Sequence, residues 1–76
     1  MKNLGNLYRD GLDVIGKLFE HTGSPDHVFR PTRIVGADVQ LIRYRPVDGR
    51  LTESASVSVP LQEASFYLRH NGRYTR

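Results

Sequence analysis

Leu4, Leu7, Tyr8, Gly11, Leu12, Val14, Ile15, Leu18 and Phe19 fall in one arc roughly 160° wide when the chain is wound at about 100° per residue. Arg9, Asp10, Asp13, Lys17 and Glu20 fall on the opposite side. This pattern predicts an amphipathic helix over residues 4–19 with its apolar face turned to a core. Asp13 stands four residues before Lys17 and Arg9 four before Asp13, so both pairs can meet on the helix surface. Gly11 lies near the centre of the apolar arc, where glycine costs about 1 kcal/mol relative to alanine. Close approach of another backbone, a strand or a second copy of the helix, would compensate. Gly23 and Pro25 follow the last periodic residues and read as a helix stop.

Two prolines, Pro25 and Pro31, argue against a long regular element in residues 24–32, leaving His27–Arg30 as a short edge strand. Residues 33–45 are rich in β-branched and aromatic side chains. Val47, Asp48 and Gly49 signal a turn, and residues 50–59 alternate between polar and apolar. A hairpin over 33–59 follows. A three-residue loop, Val47-Asp48-Gly49, pairs Ala37 with Val59, Val39 with Val57, Leu41 with Ala55 and Arg43 with Glu53. That register matches apolar with apolar and base with acid on one face, and is preferred to a two-residue loop at Asp48-Gly49. The other face carries Gln40, Ile42 and Tyr44 beside Thr52, Ser54, Ser56 and Ser58.

The C-terminal segment supports two readings. Pro60-Leu61-Gln62-Glu63-Ala64 resembles a helix start with proline in its first turn, and this reading is slightly favoured. The rival is a strand at Phe66–His70, a turn at Asn71-Gly72 and a short return over Arg73–Arg76. The expected fold is therefore α+β: an N-terminal amphipathic helix packed on a small antiparallel β-sheet (hairpin 33–59, with a third strand), closed by a C-terminal short helix or hairpin. It forms one domain over residues 1–76.

Size makes this domain marginal. A chain of 76 residues buries only about 60% of the surface its unfolded form exposes. A partner or second subunit would add stability. The absence of cysteine removes disulfides and thiolate metal sites and fits a reducing compartment. The charged residues near the N-terminus interrupt any signal-peptide core, and no apolar run approaches the roughly 20 residues that span a bilayer. The expectation is a soluble cytoplasmic protein, in a host cell or a virion if phage-encoded, without membrane contact.

Charge is unevenly spread. Residues 1–29 sum to −1 and residues 30–76, with eight arginines against four acids, to +4. The excess of arginine over lysine reads as genome composition. Its clustering beside tyrosines is more informative, because arginines neutralise phosphates and tyrosines stack on unpaired bases. Arg43, Tyr44 and Arg45 lie on the hairpin. Tyr67, Arg69, His70, Arg73, Tyr74 and Arg76 crowd the C-terminus.

Other chemistry is sparse. His21, His27 and His70 have no spacing that converges on a metal, so neither metal nor cofactor is expected. Ser24, Asp26 and His27 are polar neighbours, yet residues adjacent in sequence seldom supply nucleophile–base geometry, and turn capping explains them. No Gly-rich phosphate loop follows a strand. The order helix–strand–strand–strand–helix resembles small double-stranded-RNA-binding-type folds, among them the HicA-type toxin ribonucleases. That family carries its catalytic histidine in a Gly-Ser-His context. Here Gly23-Ser24 is followed by Pro25-Asp26, so the role does not carry over to His27. The sequence thus points to a small non-enzymatic binding protein docking on a larger protein or nucleoprotein complex through Ile42, Tyr44, Tyr67, Arg69, Arg73, Tyr74 and Arg76. Interface hot spots favour tyrosine and arginine. A homodimer is a variant of this class. The alternative is a nucleic-acid-binding module acting through Arg43, Arg45, Arg69, Arg73 and Arg76.

Overall fold

The computed structural model describes residues 3–63 and 65–68. Asn3 caps a helix by accepting the Asn6 N–H at its side-chain oxygen, 2.8 Å away. This helix, α1, spans Leu4–Arg9, far short of the expected 4–19. Its end is a Schellman motif. The Leu12 N–H donates to the Leu7 carbonyl and the Gly11 N–H to the Tyr8 carbonyl, both at 3.0 Å. The motif needs a left-handed residue, and Gly11 supplies it at φ +92°. Gly11 is therefore a helix terminator and not a helix-crossing point. Beyond it the chain wraps as a loop. Val14 is driven into the core while Leu12 and Ile15 remain exposed. The Asp13 carboxylate accepts the Ile15 N–H, and the Gly16 N–H donates to the Pro31 carbonyl at 2.9 Å.

The remainder is an antiparallel sheet of β1 (Phe19–His21), β2 (Val28–Val35), β3 (Asp38–Val47), β4 (Arg50–Pro60) and β5 (Phe66–Leu68), in the order β4-β3-β2-β1-β5. The expected α+β arrangement, with a long helix on a small sheet and a C-terminal helix, is thus replaced by a five-stranded sheet with one short helix. The helix–strand–strand–strand–helix order behind the RNA-binding resemblance is likewise not observed. After Pro60 the chain turns and enters β5, matching the start of the rival strand reading. Asn71-Gly72 and the Arg73–Arg76 return lie outside the described residues.

β2 runs through Pro31, contrary to the expected short edge strand. Pro31 pairs with Leu41 on β3 and accepts the Gly16 N–H at its carbonyl. A strand residue turns its N and its C=O to the same side. The missing proline N–H therefore points where β1 has already ended, and no ladder bond is lost. Residues 33–45 are divided by the Gly36-Ala37 turn between Val35 and Asp38, which the β-rich composition concealed.

The β3–β4 hairpin closes with two loop residues, not three: Val47 pairs with Arg50, with Asp48 at φ 54° and Gly49 at φ 79°. These left-handed values define a type I′ turn. Ser54 is then an extra residue in β4, a bulge that shifts the register. Beyond it Arg43 pairs with Ala55, Leu41 with Val57 and Val39 with Val59. Val39 and Leu41 still meet apolar partners, two residues along β4 from the expected ones, while the expected Arg43–Glu53 pair is lost and Glu53 stands opposite Tyr44.

One sheet face is covered. Phe19, Phe29, Val39, Leu41 and Phe66 are buried beneath Leu4 and Val14, with Leu7, Ile34, Val57, Val59, Leu61 and Leu68 packed around them. Phe29 and Phe66 meet edge to face at 5.1 Å, and His21 lies 4.5 Å from Phe66. Fully burying a side chain such as Phe19 or Leu41 contributes about 1.5–3 kcal/mol. No helix among the described residues is long and apolar enough to cross a membrane.

Candidate functional site

Side chains alternate across a strand, so the pairing registers assign each candidate residue to a face. One row crosses all five strands on the face opposite the core: Tyr67, Glu20, Val28, Tyr44 and Glu53. The next row contains Arg30, Ile42 and Ser56, and beyond it Gln40 pairs with Ser58. Ile42, Tyr44 and Tyr67, three residues singled out in the sequence, are therefore brought to one face. Arg69, Arg73, Tyr74 and Arg76 lie outside the described residues.

The three differ in availability. Tyr44 is only 5% exposed. Its hydroxyl accepts two hydrogen bonds from Arg30, from Nε at 2.9 Å and from Nη2 at 2.7 Å. Tyr44 is thus part of the foundation of this face rather than a free anchor. Tyr67 is half-buried on β5, and Ile42 is half-buried in the middle of β3. Around Ile42 the face is hollowed into an open concavity of about 340 Å³, to which Thr32, Gln40, Ser56 and Ser58 also contribute. Thr32 donates its hydroxyl to the Gln40 carbonyl at 3.2 Å. Leu41 and Val57 also border it, so the lining combines hydroxyl, amide and apolar residues without a charged one.

Arg43 and Arg45 project from the other side of β3. Arg43 Nε donates to the Ser54 hydroxyl at 3.0 Å, and that hydroxyl donates back to the Arg43 carbonyl at 3.2 Å. The bulge residue thereby fixes the arginine. Arg45 is exposed and borders a second hollow with Pro25, Asp26 and Pro46, where an acid already stands beside it. The two arginines of the alternative reading that fall among the described residues do not join the Ile42 face.

The Ser24-Asp26-His27 segment forms turns. The Ser24 N–H donates to the His21 carbonyl and the His27 N–H to the Ser24 carbonyl, each at 3.1 Å. His21 Nδ1 accepts the Gly23 N–H at 3.0 Å. No group of three or more histidine, cysteine or acidic residues that could hold a metal occurs among the described residues.

Sequence reasoning missed Arg30 and Thr32. Both belong to β2, which the prolines disguised. The signal that was present is their alternation with Phe29 and Pro31, which places them on the side away from the core. Comparison with protein family models, curated proteins and solved structures found no match for this chain.

Proposed function

We propose that this chain is a small non-enzymatic binding protein that docks on a larger protein partner, as an adaptor, inhibitor or assembly subunit, through the face of β2, β3 and β4 centred on Ile42. The observation that carries the reading is the division of the sheet into two unlike faces. One is closed by α1 and the loop that follows it. The other is uncovered, among the described residues, around Ile42, Gln40, Thr32, Ser56 and Ser58. A half-buried aliphatic group ringed by hydroxyls and an amide suits a protein surface, where an apolar centre is surrounded by a polar rim. A phosphate backbone would require free cations at the concavity. Arg30 on this face is engaged by the Tyr44 hydroxyl, Arg33 stands opposite Gln40 without lining the hollow, and Arg43 and Arg45 lie on the opposite side. The reading needs no cofactor and no membrane. It places the protein in the cytoplasm of a cell, or in a virion if phage-encoded.

Affinity capture from native lysate, with and without nuclease, tests it. Docking predicts one protein retained at stoichiometric amounts after nuclease and raised salt. That protein should be lost with Ile42→Arg and kept when Arg43→Glu and Arg45→Glu are combined. Capture that disappears with nuclease and with the arginine reversals would move the function to a nucleic-acid surface.

A further inference from the structure

The two edges of the sheet are finished differently. At β5, Asn3 forms an isolated antiparallel bridge to Tyr67, so the N-terminal segment covers part of that edge. At the other edge stands β4, the longest strand at 11 residues, paired only with β3 among the described residues. Antiparallel ladders alternate, so every second residue of β4 turns its N–H and C=O outward. Natural edges are blunted by charge, proline or bulges. In β4 these devices stand at the ends of one segment: Glu53 and the bulge at Ser54 on one side, Pro60 on the other. Between them the strand reads Ala-Ser-Val-Ser-Val and carries no charge.

We propose that this edge pairs antiparallel with the β4 edge of a second copy of the chain, joining two five-stranded sheets into one continuous sheet. An open edge accepts only an extended backbone, and the segment is its own complement. A two-fold axis at Val57 sets Val57 against the partner's Val57, Ser56 against the partner's Ser58, and Ala55 against the partner's Val59. Ala55, Val57 and Val59 are half-buried on the core side, while Ser56 and Ser58 are exposed on the open side. Every pair therefore matches apolar with apolar or hydroxyl with hydroxyl. A slip of one residue would set valine against serine and reverse the faces. The two Glu53 side chains stand at opposite ends of the paired segment, so like charges do not meet. The pairing does not depend on the docking reading. It leaves Ile42 uncovered and brings the two open faces onto the same side.

Sedimentation equilibrium of the native chain at sub-millimolar concentration tests the association, and the expected mass is twice the 8.7 kDa of one chain. Because the chain has no cysteine, Val57→Cys supplies a single thiol. Residues directly opposite in an antiparallel ladder have Cα atoms about 4.5–5.5 Å apart, within disulfide reach. Mild oxidation should convert Val57→Cys to a covalent dimer. Thr52→Cys, on the same strand beyond the bulge, should remain a monomer on a non-reducing gel. A monomeric native chain would overturn the proposal. So would a native dimer in which Val57→Cys fails to cross-link or cross-links no better than Thr52→Cys.

Discussion

Arg30 holds Tyr44 by its hydroxyl, through two donors on one guanidinium at 2.9 and 2.7 Å. The residues sit on neighbouring strands, where Arg30 pairs with Ile42 and Tyr44 with Val28, so the bond runs diagonally across the open face. The guanidinium Cζ lies 5.7 Å from the ring centroid, and contact is made at the hydroxyl end of the ring. This fixes the floor beside Ile42.

Tyr44→Phe keeps the ring and removes the acceptor. Hydrogen bonds to charged groups contribute about 1.5–3 kcal/mol, and partial exposure of Arg30 lowers that figure through solvent screening. The expected loss is about 1 kcal/mol in urea unfolding. Arg30→Ala should add little to Tyr44→Phe in a double-mutant cycle, because either change removes the same bond. Full additivity would show that the two side chains act independently.

Gly11→Ala separates the observed structure from a continuous helix by the sign of its effect. Inside a helix the change would stabilise by about 1 kcal/mol. At φ +92° it should instead destabilise, by about 1–2 kcal/mol, the cost of left-handed backbone for an L-residue. Nothing lies within 4 Å of the added Cβ, so the effect is conformational. D-alanine at the same position, introduced by chemical synthesis, should recover the loss in a thermal melt.

Gly5→Ala should also destabilise, for a different reason. A Cβ at Gly5 would stand 2.6 Å from the Leu61 carbonyl oxygen and 3.1 Å from the Gln62 Cα. Both are backbone atoms, so α1 must move off the turn that follows β4. Overpacking of this kind costs about 1–3 kcal/mol, against a helix-propensity gain of about 1 kcal/mol. A higher melting temperature for Gly5→Ala would mean that α1 does not rest on Leu61.

The legible parts of the fold were those set by short-range chemistry. Val47-Asp48-Gly49 marks where the hairpin turns, although the loop closes with two residues and not the three expected, and the placement of Gln40, Ile42 and Tyr44 on one face follows from alternation alone. The illegible parts depend on partners distant in sequence. Period 3.6 over residues 4–19 is satisfied equally by a helix and by a short helix followed by a loop that buries Val14. Gly11 is what divides them, and its meaning depends on the hydrogen bonds from Gly11 and Leu12 back into the last turn. Pro31 reads as a strand breaker unless the end of β1 beside it is known. The β3–β4 register turned on the bulge at Ser54, which sequence alternation does not reveal. The principle that apolar faces apolar held, through Val39–Val59 and Leu41–Val57. At the site, Tyr44 was correctly placed on the open face. Its burial was not foreseeable, because Arg30 belongs to a strand that the prolines concealed.

The most direct test of the docking face is a two-dimensional amide spectrum of the isotope-labelled chain, titrated with the protein retained after nuclease treatment. Docking through the open face predicts shift changes concentrated at Thr32, Gln40, Ile42, Ser56 and Ser58 that persist at raised salt. Changes centred instead on Arg43 and Arg45, and abolished by salt, would contradict it.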